Sequence, residues 1–182
     1  MAQYEPFDSG VEARGRVIVA IEEGIEHFRD AHREAVRAAL AEKGIDDPDP
    51  DDWYAQAAEL DVLATVAEEF GPHVLDRLGE RIPSVARWPS DVSGVAEGLR
   101  AIDDAYHRNH RGGDIGHYRF ERVDERHGRV ACRNPYPCPF DRGLIRAVSK
   151  EYSPVESFVL VEERGETCRR RGDERCTYVV RW

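Results

Sequence analysis

Hydrophobic residues recur every three or four positions along the first quarter of the chain. Residues 14–44, RGRVIVAIEEGIEHFRDAHREAVRAALAEKG, carry a stripe in which one member is polar: Val17, Ile21, Ile25, Phe28, His32, Val36 and Leu40. This spacing places the side chains on one face of an α-helix, and Gly44 is a typical helix end. A stripe this long needs a surface that covers it. We therefore predict a helical segment over residues 1–45 that is a candidate dimerisation arm.

The same helical spacing continues beyond a polar, proline-rich break at residues 45–52, IDDPDPDD. One predicted helix begins near Asp51 and reaches Phe70, and a short helix follows over residues 74–82. After the loop IPSVARWPS, Ser90 or Asp91 can cap a further helix that runs to Tyr106. These helices open a predicted ligand-binding domain over residues 50–182.

The hydrophobic period changes from helical to alternating near residue 116. The segment GHYRFERVDERHGRVACRN alternates on both sides of the turn DERHG, which is typical of a β-hairpin. A short helical pattern, FDRGLIRAVSKEY, is followed by two strand patterns, ESFVLVEERG and ERCTYVVRW. The predicted fold class is α+β, with N-terminal helices packed on a roughly four-stranded antiparallel sheet and a ββαββ order in the C-terminal half.

The charge of the chain indicates which partners it can bind, and its hydrophobicity indicates where it is located. The net charge is −10, and of the 26 basic residues only Lys43 and Lys150 are lysines. This acidic, lysine-poor composition is typical of halophilic proteins, and it disfavours a broad nucleic-acid surface, which needs a basic face. The chain has no apolar run long enough to cross a membrane and no signal-peptide pattern at its start, so we expect a cytoplasmic protein.

The cysteines suggest a metal centre. All four lie in the last third of the chain: Cys132, Cys138, Cys168 and Cys176. On the predicted strands they form two pairs at strand ends, and two such pairs can face each other and bind zinc with four thiolates. Glu163 or Glu166 can complete the set if three cysteines bind. Two other interpretations stay open: buried free cysteines that act as small hydrophobes, and a disulfide or redox pair.

The C-terminal motifs resemble a known family. The segments CPFDRGLIRAV and CRRRGDERCTYVV are similar to the 4-vinyl reductase-type small-molecule-binding domain, which also forms the sensor module of phenol- and xylene-responsive activators. The resemblance covers residues 85–182, and residues 50–85 only by helix order. The segments NHRGG and NPYPC are similar to haloarchaeal members. The resemblance implies a sensor domain, commonly dimeric, with an internal ligand pocket.

The resemblance also implies a ligand set for zinc. The phenol sensors hold zinc with three cysteines, which match Cys138, Cys168 and Cys176, and with a glutamate whose position is occupied here by Gly165. Cys132 is the substitute fourth ligand, and Glu166 is the runner-up. The fold of the 4-vinyl reductase-type domain is related to that of the haem nitric-oxide-binding family. The Tyr-x-Ser-x-Arg signature of the haem nitric-oxide-binding family is missing from this sequence, so haem is not expected.

Four residues are candidates for the pocket because small-molecule sites are apolar with a few aimed polar groups: Trp88, Tyr106, His110 and Tyr118. No catalytic motif is found, and we assign no catalytic residue. We predict a sensor that binds a small apolar or aromatic ligand, forms a homodimer and acts on a transcriptional or signalling protein. The alternatives are a zinc enzyme with an open coordination position and a structural protein-interaction module.

Overall fold

The computed structural model of the chain describes residues 3–25, 30–155 and 157–182. Within these residues the six α-helices are α1 (Arg16–Ile25), α2 (Asp30–Glu42), α3 (Gln56–Phe70), α4 (Pro72–Val85), α5 (Val95–Asn109) and α6 (Cys138–Glu151). The strands are β1 (Glu12–Arg14), β2 (Trp53–Ala55), β3 (His110–Arg111), β4 (His117–Asp124), β5 (His127–Arg133), β6 (Leu160–Glu163) and β7 (Cys176–Arg181). No helix of the described part is long and apolar enough to cross a membrane.

The predicted four-stranded antiparallel sheet is confirmed. Its strand order is β4-β5-β7-β6, and every neighbouring pair is antiparallel. The hairpin β4–β5 turns where the sequence pattern placed it, and Cys132 pairs directly with Cys176 across β5 and β7. Helix α6 connects β5 to β6, which gives the ββαββ order.

A second, smaller sheet was missed by the sequence analysis. Strand β1 lies between β2 and β3, and both pairings are antiparallel. The three strands are only two or three residues long, which is too short for an alternating pattern to show. The sheet joins the N-terminal segment to the start of α3 and to the end of α5.

The N-terminal helices pack into the same core as the rest of the chain. Val17, Ile21, Val36 and Leu40 are buried, and they belong to one continuous hydrophobic cluster with α3, α4 and the sheet. The predictions for Phe28 and for the side chains of Ile25 and His32 lie outside the described part. The dimerisation arm stays a prediction.

Three helix boundaries differ from the predicted ones. Helix α3 begins only at Gln56, because residues 53–55 extend into β2. Helix α4 continues through Pro83 to Val85, since a proline in the last turn removes only one terminal hydrogen bond. Helix α5 begins at Val95 rather than near Ser90, because Gly94 adopts a positive φ of 77° that breaks the helical path.

Helices α4 and α6 approach each other so closely that glycine is required on both. A Cβ atom at Gly79 would lie 2.0 Å from the carbonyl oxygen of Phe140, and one at Gly143 would lie 1.9 Å from that of Asp76. Arg146 supports this contact through Asp76 and Glu80. The glycines therefore fix the distance between the helices that carry one side of the cavity described below.

The substitutions Gly79→Ala and Gly143→Ala test this contact. Alanine favours a helix by about 1 kcal/mol over glycine, yet we expect each variant to lose about 1–3 kcal/mol of stability because its methyl group pushes the helices apart. Urea unfolding measures the change. Arg77→Ala, at an exposed position of α4, is the control and should be near neutral. A gain in stability for either glycine variant would contradict the contact.

Candidate functional site

A cavity of about 40 Å³ lies between the small sheet, helices α4, α5 and α6, and the edge of the large sheet. Most of its wall is apolar or aromatic. The lining residues are Ala13, Arg14, Arg16, Val17, Ile82, Ala86, Trp88, Ile102, Ala105, Tyr106, Asn109, His110, Tyr118, Tyr136, Phe140 and Leu144. A water needs about 10–15 Å³ of such space, so the cavity has room for about three water-sized groups.

The four residues that the sequence analysis nominated for a pocket all line this cavity. Tyr106 and His110 come from the end of α5 and from β3, Tyr118 comes from β4, and Trp88 follows α4. The rings of Tyr106 and His110 lie 4.2 Å apart, and those of Tyr106 and Tyr118 lie 5.2 Å apart, edge to face. That a ligand binds among them stays a prediction.

A chain of buried hydrogen bonds runs from α3 to the cavity wall. The Tyr136 hydroxyl lies 2.7 Å from Nε2 of His110 and 3.0 Å from both carboxyl oxygens of Glu59. Nδ1 of His110 lies 2.8 Å from the carbonyl oxygen of Tyr106, so Nδ1 must carry a proton and donate it. In the neutral ring Nε2 then accepts from Tyr136, and the Tyr136 oxygen accepts from a protonated Glu59.

The burial of these groups supports the uncharged arrangement. Burial of the Glu59 carboxyl group raises its pKa to about 8. Burial lowers the pKa of His110 to about 4 against the effect of its hydrogen bond to Tyr106. At neutral pH this part of the cavity wall is therefore uncharged, and its polar atoms bond to one another.

A buried ion pair lies beside the same wall. Arg169 and Asp141 form it with side chains that are 1% and 0% exposed. Asp141 also accepts a hydrogen bond of 2.6 Å from Tyr118, and Arg169 donates to the carbonyl oxygens of Asn134 and Tyr136. Burial raises the pKa of Asp141, and Arg169 opposes that shift.

Three of the four cysteines lie together on the other side of this ion pair. The sulfur of Cys138 lies 3.2 Å from that of Cys176 and 3.9 Å from that of Cys168. A carboxylate oxygen of Glu163 joins them, and the four ligand atoms lie within 4.8 Å of one another. The geometry suits a four-coordinate metal ion, with Glu163 rather than Cys132 or Glu166 as the fourth member.

The sulfurs of Cys138 and Cys176 differ in acidity. A hydrogen bond from Cys138, together with the backbone N–H and the charge of Arg169, lowers the pKa of Cys176 to about 6. The shared hydrogen bond and burial raise the pKa of Cys138. Burial likewise raises the pKa of Cys132, where Asp141 adds to the shift. Within this pair of sulfurs, Cys176 is therefore the more acidic thiol.

Several residues of the site were missed from the sequence. Glu59 carried a signal, because Gln56, Glu59, Leu63 and Val66 share a helical spacing in which two polar residues lie on an apolar stripe. Arg169 had none, since it is the first of three consecutive arginines and only the fold shows that it is the buried one. Tyr136 and Asp141 likewise owe their roles to distant partners.

Comparisons with known proteins identify the fold. The structure is similar to an H-NOX protein from S. oneidensis, with a TM-score of 0.66, 13% identity and coverage of 92% of this chain and 95% of that chain. An H-NOX mutant from K. algicida gives a TM-score of 0.67 at 12% identity, with coverage of 92% and 95%. An H-NOX mutant from T. Tengcongensis gives 0.61 at 17%, with coverage of 91% and 94%. No family model and no curated protein matches the sequence.

Two sequence predictions are corrected by these comparisons. The resemblance to the 4-vinyl reductase-type domain is wrong, because the neighbours are H-NOX proteins and no family model matches. The prediction of zinc as the cofactor is also wrong, because the descriptions of the neighbours name Fe(II) and haem. Short cysteine motifs misled both predictions, since the spacing of a few residues in sequence does not identify a whole fold.

The substitution Glu59→Gln tests the protonation of the buried chain. The folded protein keeps the Glu59 proton that the unfolded chain releases, so stability falls with rising pH between about 4.5 and about 8. His110 acts in the opposite sense between about 4 and 6.5, where the unfolded chain binds a proton that the folded protein lacks. Below pH 6.5 the contributions of Glu59 and His110 to the stability offset each other. Above pH 6.5 the decline in stability caused by Glu59 remains.

Urea unfolding from pH 5 to 8.5 measures this dependence. We expect the difference in free energy of unfolding between wild type and Glu59→Gln to fall by up to about 1.4 kcal/mol per pH unit. Glu68→Gln, at an exposed position of the same helix, is the control and should leave the pH dependence unchanged. A constant difference across the range would show that Glu59 is ionised in the folded protein.

Proposed function

We propose that this chain is a small-molecule sensor domain built on the H-NOX fold, and that it works without haem. The observation that carries the proposal is the cavity of about 40 Å³, which is enclosed by apolar and aromatic side chains between the helices and the two sheets. The apolar part of such a cavity can bind small apolar groups. The sequence predicted a sensor for a small apolar or aromatic ligand, and an aromatic ligand is too large for the cavity as it stands.

Haem, which the fold implies, does not fit the residues present. Sites for ligands even smaller than haem occupy roughly 300 Å³ or more, whereas this cavity is about 40 Å³. Both ring nitrogens of His110 are already hydrogen-bonded. The hydroxyls of Tyr106, Tyr118 and Tyr136 also have protein partners, and no described cysteine or methionine lines the cavity. No described side chain of the cavity wall is therefore free to be an axial ligand.

The proposed mechanism is a population shift. A ligand in the cavity contacts α4, α5, α6 and the small sheet at once, so it favours one relative arrangement of these elements over others. The response would reach a second copy of the chain or a signalling or transcriptional protein. The homodimer, the protein partner and the cytoplasmic location are parts of this proposal.

Xenon, an apolar probe with no hydrogen-bonding groups, tests the cavity. We expect ¹²⁹Xe NMR to show a bound signal for wild type and none for Ala105→Leu, whose larger side chain fills the space beside Tyr106. Asp104→Ala, exposed on the same helix, should bind xenon like wild type. Failure of xenon to bind the folded wild-type protein would overturn the proposal, as would stoichiometric haem with a histidine-ligated spectrum after haemin is added.

A second proposal concerns the thiol group. We propose that Cys138, Cys168 and Cys176 bind a soft metal ion together with Glu163, because three sulfurs and one carboxylate oxygen lie within 4.8 Å of one another. Thiolates prefer soft ions. Cys176 supplies the first thiolate at neutral pH because Cys138 and Arg169 lower its pKa. The four-cysteine set predicted from the sequence contains Cys132 in place of Glu163.

Metal analysis of purified variants tests this site. We expect Cys138→Ser and Cys176→Ser to lose the bound metal, because each removes a thiolate ligand, and Glu163→Gln to weaken its retention against a chelator. Cys132→Ser is the matched control and should keep the metal. Loss of metal in Cys132→Ser but not in Glu163→Gln would favour the four-cysteine set, and a metal-free wild type would end the proposal.

A further inference from the structure

We propose that the ligand of this cavity is a short carboxylate, with its apolar body inside the cavity and its carboxylate group against Arg14 and Arg16. The inference rests on the proposed small-molecule function and specifies the chemistry of the ligand. It starts from polar atoms of the cavity wall that have no partner within the protein.

Three buried N–H groups of the lining residues lack a hydrogen bond. They are Nε of Arg14, Nε of Arg16 and Nε1 of Trp88, whose contact with Tyr152 does not reach hydrogen-bond geometry. A buried donor without a partner costs about 1–3 kcal/mol and calls for an explanation. All three groups are donors, and no lining side chain has an unpartnered acceptor among the described residues. A bound molecule that offers acceptor atoms would satisfy these three donors.

The charges at this end of the cavity favour an anion. Arg16 pairs with Asp51, which also pairs with Arg87. Arg14 has no ion pair in the described part of the chain: its guanidinium donates to the backbone oxygen of Asp51 and lies 4.0 Å from the ring centre of Trp53. Among the described residues, no carboxylate pairs with the positive charge of Arg14, although Asp51 competes for Arg16.

The other polar side chains of the cavity wall cannot hold the head group of the ligand. The side chains of His110 and Tyr136 are uncharged and already bonded to each other and to their neighbours. The space next to them is bounded by apolar side chains such as Ile102 and Leu144. A ligand must therefore place its apolar part there and its charge at the arginines.

The size of the cavity selects a carboxylate over larger anions. Space of about 40 Å³ accommodates a body of only a few non-hydrogen atoms. A carboxylate is planar and presents two acceptor oxygens, which matches the donor geometry of a guanidinium. A tetrahedral phosphate ester is bulkier and would need more donors than Arg14, Arg16 and Trp88 offer.

Calorimetric titration with acetate, propionate and butyrate tests the proposal, with acetamide and propionamide as uncharged analogues of the same shape. The ionic strength is held constant with chloride. We expect at least one carboxylate to bind the wild-type protein at least tenfold more tightly than its amide. Arg14→Met and Arg16→Met should each weaken that binding about tenfold while xenon still binds. Arg77→Met, an exposed arginine on α4, is the control and should bind like wild type.

The outcomes separate this inference from the function on which it rests. Equal binding of carboxylate and amide, or unchanged affinity in both arginine variants, would overturn the carboxylate assignment while a positive xenon signal leaves the sensor cavity standing. Absence of both xenon and carboxylate binding in folded wild-type protein would overturn both proposals.

Discussion

The buried ion pair between Arg169 and Asp141 is the interaction on which both candidate sites depend. The Arg169 side chain joins the first turn of α6 to the corner at residues 134–136, and its backbone N–H donates to the sulfur of Cys176. Removing one partner of such a pair costs about 3–5 kcal/mol, because the other charge remains buried. One guanidinium therefore holds the cysteine turn, the start of α6 and the cavity wall in a single arrangement.

This arrangement places two different chemistries on neighbouring residues. Tyr136 lies in the cavity wall and bonds to His110, whereas Cys138, two residues later, lies among the thiols. Arg169 donates to the carbonyl oxygen of Tyr136, and helix α6, which begins at Cys138, packs against α4 at Gly79 and Gly143. A short, fully buried segment of the chain therefore joins the two candidate sites.

The fold implies haem, whereas the residues of the cavity do not fit haem. Function is inferred from the residues of the site rather than from the fold. The H-NOX neighbours share the architecture over more than 90% of this chain. The space between the helices and the sheets is here closed to about 40 Å³ and lined by tyrosines whose hydroxyls are bonded within the protein. The same scaffold can hold a large cofactor or enclose a small cavity, because side chains rather than backbone topology set the volume.

The sequence by itself determined what depends on local pattern. Alternation and helical spacing predicted the hairpin, α6 and the large sheet, because each is long enough for its hydrophobic period to show in the sequence. The aromatic residues of the cavity wall could be proposed from their residue types. Only the tertiary structure decided the small sheet, the fold relationship and the partners of the buried charges. Which of three consecutive arginines is buried, and which acid joins the thiols, depends on contacts between residues far apart in the chain, such as Asp141 with Arg169 and Cys138 with Glu163. Such contacts arise from packing, and no local pattern encodes them.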